Sequence, residues 1–260
     1  MNKKYNKNFI TNFIIRFDYN EIQETMLEKL KKMFEEKYGF IINETQNVQK
    51  GKVNIDFKSK DSTVEVEKEV KQYVLLPKDK ESKITFSEDV FIYETIKYTS
   101  YDDIKNLIQE FIVEINNDTN IDMFNRIGMR YVNNIELPFE DKKEIFEWKD
   151  YINNKLICNM DFIDYNDILQ LINVQEFKSK KTKNIIFRLQ TGIPNPYKPA
   201  EIVKKNFIID IDGYTMNIEN ITNATSKLQA IHDELGEIFE KCMENSLRNI
   251  LKGEWYESMV

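Results

Sequence analysis

Hydrophobic residues along the chain recur at two different periods, and each change of period marks an element. In "FITNFIIRFD" (9–18), Phe9, Thr11, Phe13, Ile15 and Phe17 alternate with Ile10, Asn12, Ile14, Arg16 and Asp18. A two-residue period in aromatic and β-branched side chains predicts a strand. From Glu21 the spacing becomes three and four. Ile22, Met26, Leu27, Leu30, Met33, Phe34 and Tyr38 form one stripe, an amphipathic helix that Gly39 ends. Strand-like segments follow at 52–59, 62–76 and 83–96. A second helix starts at a Ser100-x-x-Asp103 capping box and carries Ile104, Leu107, Ile108, Phe111, Ile112 and Ile115 on one side. A strand over 124–135 comes next, closed by Leu137-Pro138.

The second half predicts a helix over 140–156 and strands over 168–179, 183–192 and 205–214. Pro194, Pro196 and Pro199 make 192–199 a loop. A final helix is expected at 222–252, with Leu228, Ile231, Leu235, Ile238, Phe239, Cys242 and Leu247 inward and Thr222 or Asn223 as its cap. The pattern is α+β, with two antiparallel-sheet layers each covered by helices. The halves are 1–137 (β-α-β-β-β-α-β) and 138–260 (α-β-β-β-α), packed together or merged into one continuous domain. Their similar order suggests an ancient duplication, although no residue-level repeat survives.

Composition narrows the function classes. With 41% hydrophobic residues, 17 Phe and 13 Tyr, the chain can bury a core. Its net charge of −7 makes nucleic acid a disfavoured partner, because phosphate binding rests on clustered positive charge. Cys158 and Cys242 lie far apart without CxxC spacing and are expected as free thiols. The apolar patch at 9–17 is broken by Thr11, Asn12 and Arg16 and lacks a cleavage site, so it does not read as a signal peptide. No apolar run reaches the ~18–20 residues that span a bilayer. A cytoplasmic protein with no membrane partner is the expectation, and a homo-oligomer is left open.

Arginine is scarce: Arg16, Arg126, Arg130, Arg188 and Arg248 stand against 32 lysines (37 − 5). Where lysine is the default cation, an arginine points to its planar fork. Two of the five fall in "NRIGMRYVNN" (125–134). Alternation puts Phe124, Arg126, Gly128, Arg130, Val132 and Asn134 on one face, and Asn125, Ile127, Met129, Tyr131, Asn133 and Ile135 on the other. The two forks could converge over Gly128 on one anion, a phosphate or a carboxylate. The plainer alternative pairs each with an acidic side chain on a neighbouring strand, such as Glu65, Glu67 or Asp210.

Asp210 and Asp212 in "IIDIDG" share a strand face, a spacing that could hold Mg²⁺ for phosphoryl chemistry or could simply be solvated or partner the arginines. His232 is the only histidine, which excludes multi-histidine metal sites and leaves triad catalysis without a nucleophile motif. The seven glycines form no GxGxxG or Walker run, so no nucleotide cofactor is expected.

Three segments carry a resemblance that runs nearly end to end: "NFIIRFDYNEI", "RIGMRYVNNIELP" and "LQAIHDELGEIFEKCMENSLRNIL". The second fits an R-[IL]-G-[ML]-R-Y-[IV]-N pattern with a proline shortly after. In these the chain resembles a sporadically distributed family of uncharacterised bacterial and archaeal proteins. The resemblance implies no activity, and the family's patchy occurrence resembles that of defence-associated genes. The resulting expectation is a non-enzymatic binding or regulatory module, an accessory to a bacterial defence or toxin-type system. In it Arg126, Gly128, Arg130, Asn133 and His232 hold an anionic ligand or protein partner, and the C-terminal helix helps shape the site. A metal-dependent phosphodiesterase or nuclease built on Asp210 and Asp212 is the alternative.

Overall fold

The computed structural model describes residues 5–56, 61–118, 123–137, 148–158, 162–163, 167–200, 202, 206–215 and 219–253, with backbone alone at 42–43, 49–56, 61–68, 118 and 219. The first strand, β1 (Ile10–Tyr19), buries Phe13, Ile15, Phe17 and Tyr19 and leaves Arg16 exposed, as its alternation requires. Helix α1 (Glu24–Tyr38) buries Met26, Leu27, Leu30 and Phe34. It stops at Gly39, whose φ of 68° lies in the left-handed region that favours glycine.

The next strands differ from expectation in extent. β2 (Ile41–Asp56) and β3 (Asp61–Leu76) form a long hairpin, because the polar run 41–51 pairs with β3 despite its weak strand pattern. The single strand expected at 83–96 is two, β4 (Ser82–Phe86) and β5 (Val90–Thr95). A tight turn divides them, fixed by the Ser87 amide donating to Val90 O at 2.9 Å and the Ser87 hydroxyl donating to Asp89 at 2.9 Å. Tyr19 locks the same turn by donating to the Ser87 and Val90 carbonyls. Helix α2 (Tyr101–Asp118) begins with the Asp103 amide on Ser100 Oγ, the expected cap.

The arginine-bearing strand is β6 (Met123–Ile135). Within the helix expected at 140–156, residues 140–147 lie outside the described set. Beyond them only α3 (Asn154–Ile157) is helical, capped by Asn153. Then come β7 (Leu171–Lys178), β8 (Ile185–Ile193), β9 (Phe207–Thr215) and the short β10 (Glu219–Asn220). The final helix is not continuous. It divides into α4 (Ala224–Cys242) and α5 (Asn245–Lys252), because the backbone at Met243 turns extended and pairs with 151–153. The Asn153 amide donates to Cys242 O and the Glu244 amide to Tyr151 O, both at 2.8 Å. Neither Thr222 nor Asn223 caps α4 through its side chain. Asn220 instead caps a turn of 3₁₀ helix at Ile221–Asn223.

The architecture is α+β, but the strands make one antiparallel sheet in place of two layers, ordered β2-β3-β4-β5-β1-β6-β9-β8-β7, with β10 on β6. The reason is β6, which pairs with β1 on one edge and β9 on the other and so joins the two halves. Helices α1, α2 and α4 all cover one face. Aromatic rings fill the space beneath, with Phe91 and Phe111 stacked at 3.9 Å and Phe17 against Phe124 at 4.8 Å. Among the described residues no helix is long and apolar enough to cross a membrane.

Helix α4 sits unusually close to the sheet at Gly213. A Cβ there would lie 2.7 Å from Phe187 Cε1 and 2.9 Å from Ile231 Cγ2. Gly213→Ala is therefore expected to cost about 1–3 kcal/mol by pushing α4 off β9. Urea denaturation measures it, and an unchanged midpoint would show that the helix seats without needing the gap.

Candidate functional site

Alternation along β6 sends Arg126, Gly128 and Arg130 to the face away from the helices, so the two guanidinium groups do share a side. Phe124, expected beside them, faces the core and is fully buried. The ladder shifts from Asp18–Arg126 to Tyr19–Phe124, a bulge at Asn125 that reverses the side of everything before it.

Arg130 lies opposite Asp212 in the ladder but reaches Asp210 with two parallel bonds, Nε to Oδ1 at 2.8 Å and Nη2 to Oδ2 at 2.6 Å. Only 5% of the Asp210 side chain is exposed, and the bond to Asp210 raises Arg130 above its ordinary pKa. Arg126 stacks over the Tyr214 ring at 4.4 Å and meets Asp212 loosely at 3.4 Å. Its Nε is buried without a hydrogen-bond partner. Burial pushes the Asp212 carboxyl above the usual carboxylate value, while Arg126 and Arg130 pull it down.

The space at Gly128 is not open. A Cβ there would lie 3.6 Å from Arg126 Nε and 3.8 Å from its Nη2, so the Arg126 fork itself fills the position expected for an anion. Glu65 and Glu67 belong to β3, separated from β6 by β4, β5 and β1, and Asp210 is the carboxylate that Arg130 takes. Arg130 thereby engages both Asp210 oxygens, while Asp212 meets Arg126 only at 3.4 Å. Among the described residues no three His, Cys, Asp or Glu side chains gather as a metal site.

Asn133 falls on the opposite side of the sheet, under α4, and His232 lies on α4 itself, so the five expected site residues divide between two faces. Asn133 is buried and donates to Ile209 O at 3.1 Å. Beside it opens a cleft of about 1020 Å³. Tyr131, Asn133 and Ile211 floor it, His232, Leu235 and Phe239 of α4 form one wall, Tyr98–Tyr101 with Tyr5 and residues 7–10 form another, and Met243, Arg248 and Leu251 stand at one end. Tyr98 Oη and Tyr131 Oη are 3.2 Å apart, and Tyr131 Oη is 2.9 Å from His232 Nδ1. Tyr101 stacks on the His232 ring at 4.6 Å, and Phe13 supports Tyr98 and Tyr131 from below.

Burial lowers the His232 pKa, helped by Lys105 and opposed by Asp233 and Asp102. Burial likewise drives Tyr131 well above its ordinary value and Tyr101 up to about 12. A neutral ring with its proton on Nε2 accepts from Tyr131 at Nδ1, and Tyr98 then donates to Tyr131. Cys242, also under α4, is pushed up to about 12 by burial and stays a thiol, which makes it a poor nucleophile. At the far end Tyr5 bonds Glu240, and Arg248 holds Glu240 O at 2.6 Å.

Sequence reasoning found Asn133 and His232 but missed the three tyrosines. The available signal was Tyr131-x-Asn133: two polar groups on a strand face otherwise given to core residues. No family model matches the chain, and no curated protein matches it.

Two measurements check this chemistry. Arg130→Ala should cost about 2–3 kcal/mol because it strands a buried carboxylate, and Arg130→Lys about 1 kcal/mol because one of two bonds is lost. Urea melts read both, and an alanine variant within about 0.5 kcal/mol of wild type would show that the pair does not hold the sheet. For His232, a lowered folded pKa means the unfolded chain takes up the proton first. Its contribution is therefore complete above about pH 6.5 and falls as acid is added, by at most about 1.4 kcal/mol per pH unit. His232→Gln should flatten this acid-side slope, and an identical slope in both proteins would refute the assignment.

Proposed function

We propose that the protein is a non-catalytic binding module whose ligand occupies the tyrosine-lined cleft between β6, β9 and α4. The observation that carries this reading is the cleft: about 1020 Å³, at the upper end of ordinary ligand pockets, with ring-lined walls and a few convergent polar groups. Tyr98, Tyr131 and His232 supply hydrogen-bonding atoms, while Phe9, Ile211, Leu235 and Phe239 supply apolar surface. That mixture suits a ligand with a ring-bearing or extended apolar body and at least one polar group. The lining carries Lys7, Lys241 and Arg248 together with Asp102, Glu237, Glu240 and Glu244, so both signs of charge stand around the cleft.

The reading keeps the expected class of protein, a binding or regulatory module, and moves its site. Arg126 and Arg130 are engaged with Asp212 and Asp210, and Gly128 is covered, so the anion pocket over the glycine loses its support. The segments that carry the family resemblance meet here, since Phe13, Tyr131 and His232 are in mutual contact through Tyr131. An accessory role in a defence or toxin-type system belongs to the proposal on that resemblance alone.

The test uses 1-anilinonaphthalene-8-sulfonate, a ring-bearing anion that fluoresces in apolar surroundings. Wild-type protein with an intact near-ultraviolet circular dichroism spectrum should take up the dye at one site. Gly236→Trp, which adds a ring to the cleft wall, should lower the signal about tenfold. Equal dye uptake by both proteins, or none by wild type, would remove the cleft as a ligand site.

A further inference from the structure

The face of the sheet away from α1, α2 and α4 gathers four of the chain's five arginines. Arg16 is on β1, Arg126 and Arg130 on β6, and Arg188 on β8, while Arg248 alone lies elsewhere, on α5. The strand registers place them in rows. One row runs Lys83, Glu94, Ile14, Arg130, Asp212, Arg188, Glu176 across seven strands from β4 to β7. Sign alternates along it wherever charge is present. The neighbouring row holds Thr85, Ile92, Arg16, Gly128, Tyr214, Ile186 and Lys178, half of it apolar.

We infer that this face is the interface between two copies of the chain, packed sheet on sheet about a two-fold axis running along β6. Three observations argue for a second copy over another occupant. The first is charge. From β4 to β7 the face carries six cations (the four arginines, Lys83 and Lys178) and five carboxylates (Asp18, Glu94, Asp210, Asp212 and Glu176), in a chain of net charge −7. Two copies meet little like-charge repulsion across this face, whereas elsewhere they share an excess of negative charge.

The second is self-complementarity. A two-fold along β6 reverses the charged row onto itself. Lys83 then faces Glu176 of the second copy and Glu94 faces Arg188, each pair formed twice. Ile14 meets Asp212, and the like-signed meetings are those of Arg130 and Arg126 on the axis with their own copies, the first neutralised by Asp210 and the second drawn to Asp212. The third is size and composition. Seven strands about 4.8 Å apart and about eight residues long cover roughly 800 Å², the area each partner gives to a standard interface. Arg, Tyr and half-buried aliphatics (Ile14, Ile92, Val132, Ile186) are the mixture enriched in such contacts, and arginine holds this face in a chain that elsewhere prefers lysine. Arg188 also has donors to spare, its one hydrogen bond among the described residues going to the Gln190 oxygen at 3.0 Å. Sheets so packed lie about 10 Å apart, a distance these long side chains can bridge.

Sedimentation equilibrium on the full chain tests the inference. Wild type is expected as a dimer of twice the 31.1 kDa chain, weakening as salt is raised. Glu94→Arg and Arg188→Glu should each weaken dimerisation about tenfold, because each sets like charges against the second copy. The double variant should return it to within about threefold of wild type, because the exchanged charges again face opposites. If either variant fails to fold by circular dichroism, the Lys83→Glu and Glu176→Lys exchange at the row's exposed ends gives the same pattern. A monomeric wild type overturns the inference. So does a dimer indifferent to the single changes, which would place the contact elsewhere, or a double variant no better than the singles.

Discussion

β6 has a hydrogen-bonded neighbour on each edge, and the rest of the molecule follows from that constraint. A strand so enclosed cannot shift by one residue without turning every side chain to the wrong face, so its sequence must serve two environments at once. Ile127, Met129, Tyr131, Asn133 and Ile135 answer to the helices, and Arg126, Gly128, Arg130, Val132 and Asn134 to the opposite side. The interleaving in "RIGMRYVNN" is the record of this division. Gly128 belongs to it as well, since the Arg126 side chain lies back across it, 3.6 Å from where a Cβ would stand, on its way to Tyr214.

Much of the fold was legible because period carries it. The alternation of β1, β6, β8 and β9 and the three-four spacing of α1, α2 and α4 fix which residues are buried whatever the topology. What was hidden depended on partners distant in sequence. The bulge at Asn125 is set by β1, the break at Met243 by the backbone of Tyr151 and Asn153, and the turn at Ser87 by the Tyr19 hydroxyl. None of these carries the Gly or Pro signature that marks a local turn. The merging of two layers into one sheet was hidden for the same reason, because pairing of β6 with β9 is a long-range choice.

The site was legible in its residues and not in its grouping. The shared side of Arg126 and Arg130 followed from a two-residue period, and Asp210 was among the carboxylates named as partners for them. That Arg126 would lie back over the glycine could not follow, since it depends on Tyr214 arriving beneath it from another strand. His232 was singled out by rarity, yet its meaning comes from Tyr131 and Tyr101, which only the approach of α4 brings together. That approach rests in turn on Gly213, where the absence of a side chain lets Ile231 touch the sheet.

The interruption between α4 and α5 has a consequence for the cleft. Had the helix run on straight, its last turns would have projected past the sheet and left that end of the cavity gaping. The bend folds Leu251 and Arg248 back across it, and the main chain at Cys242 and Glu244 is tied to Asn153 and Tyr151. That end of the cleft is therefore held by two main-chain hydrogen bonds, and α5 with its side chains can shift there only if those bonds give way.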